Sequence, residues 1–153
     1  MSAAELLGLT VIIGSGLTAG VLFAVALSVV PALRTMPPST YVYVHQRIGR
    51  HWDPTMPLIV LGSTVVDLVL AFVVAEPAAR LGFVVAAVLL LAVSVVSHFC
   101  NVPLNRTVKV LDPESIPVDW EDPRPIWRRW HLLRTGLAVL ALAVNAFMVI
   151  LLL

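Results

Sequence analysis

Charge is scarce in this 153-residue chain: Asp, Glu, Lys and Arg make up 12% of it, about half the share usual in soluble domains. A water-soluble globule needs a charged skin, so that class is excluded. Cysteine occurs once, at Cys100, which rules out an internal disulfide and leaves the redox compartment unread. The sequence has no Gly-rich phosphate loop, no His-Glu-x-x-His zinc pattern, no internal repeat and no low-complexity tract, so the usual signatures of soluble enzymes are missing. A net charge of +1 gives no electrostatic footprint for nucleic acid, and none is expected as a partner.

What is present is apolar surface: 59% of the residues are hydrophobic and the mean hydropathy is +0.97. These residues gather into four blocks, 6–30, 57–75, 81–100 and 135–153, each near the ~20 residues a helix needs to cross ~30 Å of hydrocarbon. Lipid offers no partner to backbone N–H and C=O groups, so only helices or closed barrels span it. The blocks are continuous runs of Leu, Val, Ala and Ile without the alternation of a barrel strand, which selects helices. The first block reads as a spanning helix rather than a cleavable signal, because Glu5 stands where a basic leader would and the run exceeds the ~7–15 residues of a signal core. The pattern predicts an all-α, up-down four-helix transmembrane bundle forming one integral membrane domain over residues 1–153. It also predicts a long cytoplasmic connection, Asn101 to Trp130, between the third and fourth helices, read either as a lid or as a linker.

Arg34, Arg47 and Arg50 fall in the first connection, and Arg106, Lys109, Arg124, Arg128, Arg129 and Arg134 in the third; the opposite side has Arg80 alone. Positive charge is retained in the cytoplasm during insertion, which predicts both long connections inside and both termini outside. All four histidines, His45, His51, His98 and His131, belong to that same end. Helical spacing puts Trp127, Trp130, His131 and Arg134 on one stripe, and His98, Asn101 and Asn105 on another. Pro103 is expected to break or kink the second stripe. Each feature has a plainer reading: boundary Trp and Arg form an aromatic belt with snorkelling anchors, and Asn101 caps a helix. Within the second block, Asp67 is an intramembrane carboxylate. It is expected to hydrogen-bond to Ser63 or a backbone carbonyl, with Asn145 as its cross-helix partner by type, or else to relay protons. Gly16-Leu-Thr-Ala-Gly20 matches the small-xxx-small packing motif.

Gly16-Leu-Thr-Ala-Gly20, Pro31-Ala-Leu33, Asn101-Val-Pro-Leu-Asn105 and Trp127-Arg-Arg-Trp130-His-Leu-Leu-Arg134 together resemble the anthrone-oxygenase-like family of small, mostly bacterial four-helix membrane proteins. The resemblance implies a bacterial cytoplasmic membrane and oxidation of a phenolic polycyclic aromatic of the anthrone type with molecular oxygen. Such chemistry needs a base and an anion-stabilising donor, expected at His131 and Arg134 respectively. Asn101 and Asn105 are expected to hydrogen-bond the substrate, and Trp127 and Trp130 to wall it. With no flavin or nicotinamide motif, either no cofactor is used or a redox metal such as iron or copper is, with His45, His98 and His131 as candidate ligands. The competing class is a non-enzymatic transporter or accessory subunit; self-association as a homo-oligomer is compatible with either.

Overall fold

The computed structural model describes residues 2–50 and 52–151. Four long helices, α1 (Ala3–Thr35), α3 (Thr55–Val73), α4 (Pro77–Lys109) and α5 (Arg124–Ile150), are apolar enough to cross a membrane. A short helix, α2 (Pro38–Arg47), occupies the first connection. Each long helix packs against two others in the order α1, α3, α4, α5 and back to α1, the ring of an up-down bundle. Helix starts follow local chemistry. Ser2 and Glu5 form a reciprocal capping box on α1, and Glu76 caps α4 by accepting from the Ala79 N–H at 2.7 Å, with Pro77 in its first turn.

The helices run further than the apolar blocks. Two segments within them, Val25–Val29 and Ser97–Asn101, adopt π-helical register, and a proline follows each two residues later, Pro31 and Pro103. A proline in an α-helix leaves the carbonyl four residues back without a partner and presses its ring against it. In the wider register the Val30 N–H donates to the Val25 carbonyl and the Val102 N–H to the Ser97 carbonyl, five residues back. The ladder therefore passes each proline, and α4 continues through Pro103 to Lys109 instead of stopping. Because α5 begins at Arg124, only residues 110–123 of the expected long connection lie outside helices. They do not hang free: Leu111, Ile116 and Trp120 pack on Leu33, Tyr41, Val42 and Val108, and the Gln46 amide of α2 donates to the Val108 and Leu111 carbonyls at 3.1 and 2.8 Å.

Small residues are concentrated where the helices meet, beside a few large ones such as Leu70, Phe83 and Leu90. Ala19, Ala79, Ala86, Ala87, Ala138 and Ala141 are buried, as are Ser15, Thr18, Ser63, Thr64 and Thr135. Large residues such as Leu27, Leu58, Phe72 and Leu81 face outward. Lipid tails are as apolar as leucine, so burying a large side chain gains little there; small residues instead allow close helix approach and dispersion contact. The closest approach is not at the Gly16–Gly20 motif, since nothing lies within 4 Å of a Cβ placed on Gly20. It is at Gly14, whose missing Cβ makes room for Ser63 of α3, and at Gly82, which makes room for Met148 of α5. The buried hydroxyls of Ser15, Thr18, Ser63, Thr64 and Thr135 donate to carbonyls four residues back, satisfying themselves within their own helix.

Candidate functional site

A cavity of about 490 Å³ opens at the end of the bundle that carries α2, within the size range of small-molecule sites. Its walls come from α1 (Leu22, Val25, Val29), α3 (Met56, Val60), α4 (Val93, Ser97, Val102) and Trp127 of α5, with the first connection at its mouth (His45, Ile48, Trp52, Asp53). Both π segments border it: the extra residue in each wide turn sits where the chain yields space. Polar and charged side chains break the apolar wall, chief among them His45, Ser97, Asn105, Lys109 and Arg134, together with His98.

Arg134 is the centre of this set. Its Nε and Nη2 groups donate to His131 Nδ1 at 3.3 and 2.9 Å, and its Nη1 donates to Ser97 Oγ at 3.2 Å. Ser97 in turn donates to the Val93 carbonyl at 2.8 Å, which fixes its oxygen as the acceptor. Three of the five guanidinium N–H groups are thereby engaged, and one on each terminal nitrogen has no partner among the described residues. Among the described residues the only ion pair is Arg124 with Asp122, so no carboxylate is paired with Arg134.

His131 lies behind Arg134, fully buried. Its Nε2 faces the Leu22 carbonyl at 3.0 Å; a carbonyl only accepts, so the ring proton is on Nε2 and Nδ1 offers its lone pair to Arg134. The Trp127 ring stacks on the imidazole, 5.1 Å between centroids and 7° between planes. Both nitrogens are spoken for, and His131 does not line the cavity.

A second chain of bonds runs along the mouth. Trp127 Nε1 donates to Asn105 Oδ1 at 2.8 Å, which identifies that atom as oxygen, so His45 Nε2, 3.2 Å from it, carries the proton there too. The lone pair of His45 is left on Nδ1, which has no partner among the described residues. Burial pushes the His45 imidazole below its ordinary range, partly offset by the bond to Asn105. Beneath it Tyr41 is pushed up to about 12 by burial, with the Asp122 carboxylate adding to the shift, and stays a neutral phenol.

Other expected site residues are placed differently. Asn101 is fully buried off the cavity wall and is not a cap: its Nδ2 donates to the Trp127 carbonyl at 3.3 Å, tying α4 to α5. Trp130 is 36% exposed and away from the cavity. His45, His98 and His131 do not converge, and no group of three His, Cys, Asp or Glu suited to a metal occurs among the described residues; His51 lies outside them. Asp67 is distant from this end, fully buried in the bundle, with Asn145 Nδ2 donating to its Oδ2 at 3.4 Å. Ser63 is not its partner, since that hydroxyl donates to the Ile59 carbonyl. Sequence reasoning missed Ser97 and the helical state of 38–47. The second had a signal, Pro37-Pro38 opening a segment with Tyr41, Val42 and His45 on one face.

A family model described as Anthrone oxygenase matches residues 47–144, more than half of the chain. The match takes in α3, α4 and most of α5, with Ser97, Asn105, Trp127, His131 and Arg134, while His45 precedes it. No curated protein and no solved structure matches.

Proposed function

The chain belongs to the anthrone oxygenase family, and from that premise we propose that it is a membrane-bound oxygenase converting an anthrone-type phenolic aromatic to a quinone with molecular oxygen, in the cavity beside Arg134. The observation that carries this reading is a guanidinium with no paired carboxylate and two N–H groups unspent among the described residues, on the wall of a largely apolar cavity. An apolar wall suits flat fused rings, and an uncompensated fork of donors suits an oxygen that becomes negative.

An anthrone carries a methylene group opposite its carbonyl in the central ring. Removing one methylene proton gives an enolate with its charge largely on the former carbonyl oxygen. In this reading His45 Nδ1 takes the proton and Arg134 donates to the oxyanion. The enolate passes one electron to oxygen, and the carbon radical and superoxide join in a new C–O bond. Protonation by His45 gives a hydroperoxide, whose remaining C–H proton leaves as the O–O bond breaks. One anthrone and one O₂ thus become one quinone and one water. His131 acts as a positioning residue, holding Arg134 through Nδ1, while Asn105 orients His45 and Trp127. In this reading the base is His45 rather than His131, whose two nitrogens are both engaged.

The test is oxygen uptake with a panel of anthrones in matched membranes containing wild type, Arg134→Lys or no protein. Lysine keeps the charge and loses the planar fork, so turnover should fall by about 100-fold, the scale of one oxyanion donor. Equal rates in all three, with the variant folded and inserted, would remove the oxygenase reading.

A further inference from the structure

A second concavity, about 260 Å³, lies outside the bundle between the end of α1 and the start of α5, lined by Arg34, Asp122, Arg124, Pro125, Arg128 and Arg129. The proposed reaction makes no use of it. Arg124 is consumed in building its floor: Nε and Nη2 grip the Asp122 carboxylate at 2.7 to 2.9 Å, and Nη1 donates to the Leu33 and Met36 carbonyls at 3.0 and 2.7 Å. Its guanidinium also lies over the Tyr41 ring, 4.8 Å from the centroid. That pair is neutral as a unit and rigid. Arg34, Arg128 and Arg129 remain, three positive charges around one hollow with no carboxylate partner among the described residues. Like charges lining one hollow repel, and an anion placed among them offsets that repulsion.

The surroundings say where that anion comes from. Arg129 stands at the foot of an outward stripe on α5, with Leu133 one turn on and Leu140 two turns beyond that, 46% and 53% exposed. Ile126 and Trp130 flank it. On α1 the exposed Leu27 lies two turns above Arg34. An apolar track thus leads away from a basic hollow, in the direction that acyl chains lead from a headgroup. A free phosphate would use the arginines and leave the track idle.

We propose that this hollow is a binding site for the phosphate of an anionic phospholipid, held by Arg34, Arg128 and Arg129, with its chains along Leu133 and Leu140. The rigid Arg124–Asp122 pair ties the α5 start to the α1 end, so an occupied site braces the same junction from the lipid side.

Native mass spectrometry of the detergent-purified protein, titrated with phosphatidylglycerol, phosphatidylcholine or inorganic phosphate, tests this. Wild type should retain one phosphatidylglycerol in preference to phosphatidylcholine. Arg34→Gln and Arg128→Gln should each weaken retention about fivefold, the equivalent of one surface arginine. Arg106→Gln is the charge-matched control, exposed at the same end of the bundle and outside the hollow, and should leave retention unchanged. If Arg106→Gln weakens it equally, the attraction is diffuse and the site is lost. Retention of phosphatidylcholine to the same degree would overturn the proposal as well. If inorganic phosphate displaces the lipid at millimolar concentration or below, the anion is soluble and the lipid assignment fails. Arg129→Gln repeats the test should either first variant not fold.

Discussion

At the scale of single residues, two histidines that look alike in the sequence are separated by their hydrogen bonds. His45 lines the cavity with its Nδ1 unpartnered among the described residues, and burial lowers its pKa. A base must be neutral, so kcat/KM should be flat at and above neutral pH and fall in acid as His45 protonates below the ordinary ~6.5. His45→Gln should remove that acid limb along with most of the rate. His131→Gln should lower the rate by misplacing Arg134 and leave the limb in place; a limb that vanishes with His131 instead would reverse the two roles. Asp67 makes a second case. Asp67 Oδ1 and Asn145 Oδ1 are both buried without a donor among the described residues, and a proton on the carboxyl would supply the donor that this pair of acceptors lacks. Asp67→Asn supplies the same donor and should leave thermal stability nearly unchanged, whereas Asp67→Leu should cost about 1 kcal/mol, the scale of membrane hydrogen bonds. Equal loss in both would show that the carboxyl itself is required. The pairing with Asn145 was legible from residue type, because few polar groups lie that deep. The roles of His45 and His131 were not, since each depends on an acceptor far away in the chain, Asn105 or the Leu22 carbonyl.

At the scale of elements, hydropathy located all four spanning helices and misjudged their ends. Membrane blocks stop where apolar residues stop, but helices stop where backbone bonding stops. Arg124 to Arg134 is helical although polar, and the π segments carry α1 and α4 past Pro31 and Pro103. Much of the polar lining of the cavity therefore comes from stretches that composition assigned to loops. Packing contacts were equally hidden, because a glycine reveals its neighbour only in three dimensions. Gly14 abuts Ser63 while Gly20 abuts nothing within 4 Å, so the two predict opposite outcomes for one methyl group. Gly14→Ala should destabilise the bundle by roughly 1–3 kcal/mol through overpacking of α1 against α3. Gly20→Ala should be neutral or slightly stabilising, since alanine is the better helix former. Thermal unfolding in a fixed detergent compares them directly, and equal shifts in Tm would contradict the close approach of α1 to α3 at Gly14.

At the scale of the whole molecule, the charge asymmetry of the sequence and the placement of the cavity coincide. The end that holds His45, Lys109 and Arg134 also holds the basic connections, while the other end has Arg80, near the start of α4, whose Nε is tied to the Val74 carbonyl at 2.6 Å. If basic loops stay in the cytoplasm, the cavity opens there and an aromatic reaches it from the inner leaflet or the cytosol. Substituted-cysteine labelling decides this. In a Cys100→Ala background, a cysteine at Thr40, Val118 or Ala78, each exposed, reports its own side of the membrane to an impermeant maleimide. Intact cells should label at 78 and resist at 40 and 118, and lysed cells should label at all three. The reverse pattern in intact cells would turn the bundle over. The cavity would then face outward, and the arginines of the second hollow would meet the outer leaflet, where anionic lipid is scarcer in many membranes. Labelling at 40 and 118 together, with 78 resistant, is the single result that would move both proposed sites across the bilayer at once. Labelling at only one of that pair would instead contradict the common end that α2 and residues 110–123 share through Tyr41, Val42 and Trp120.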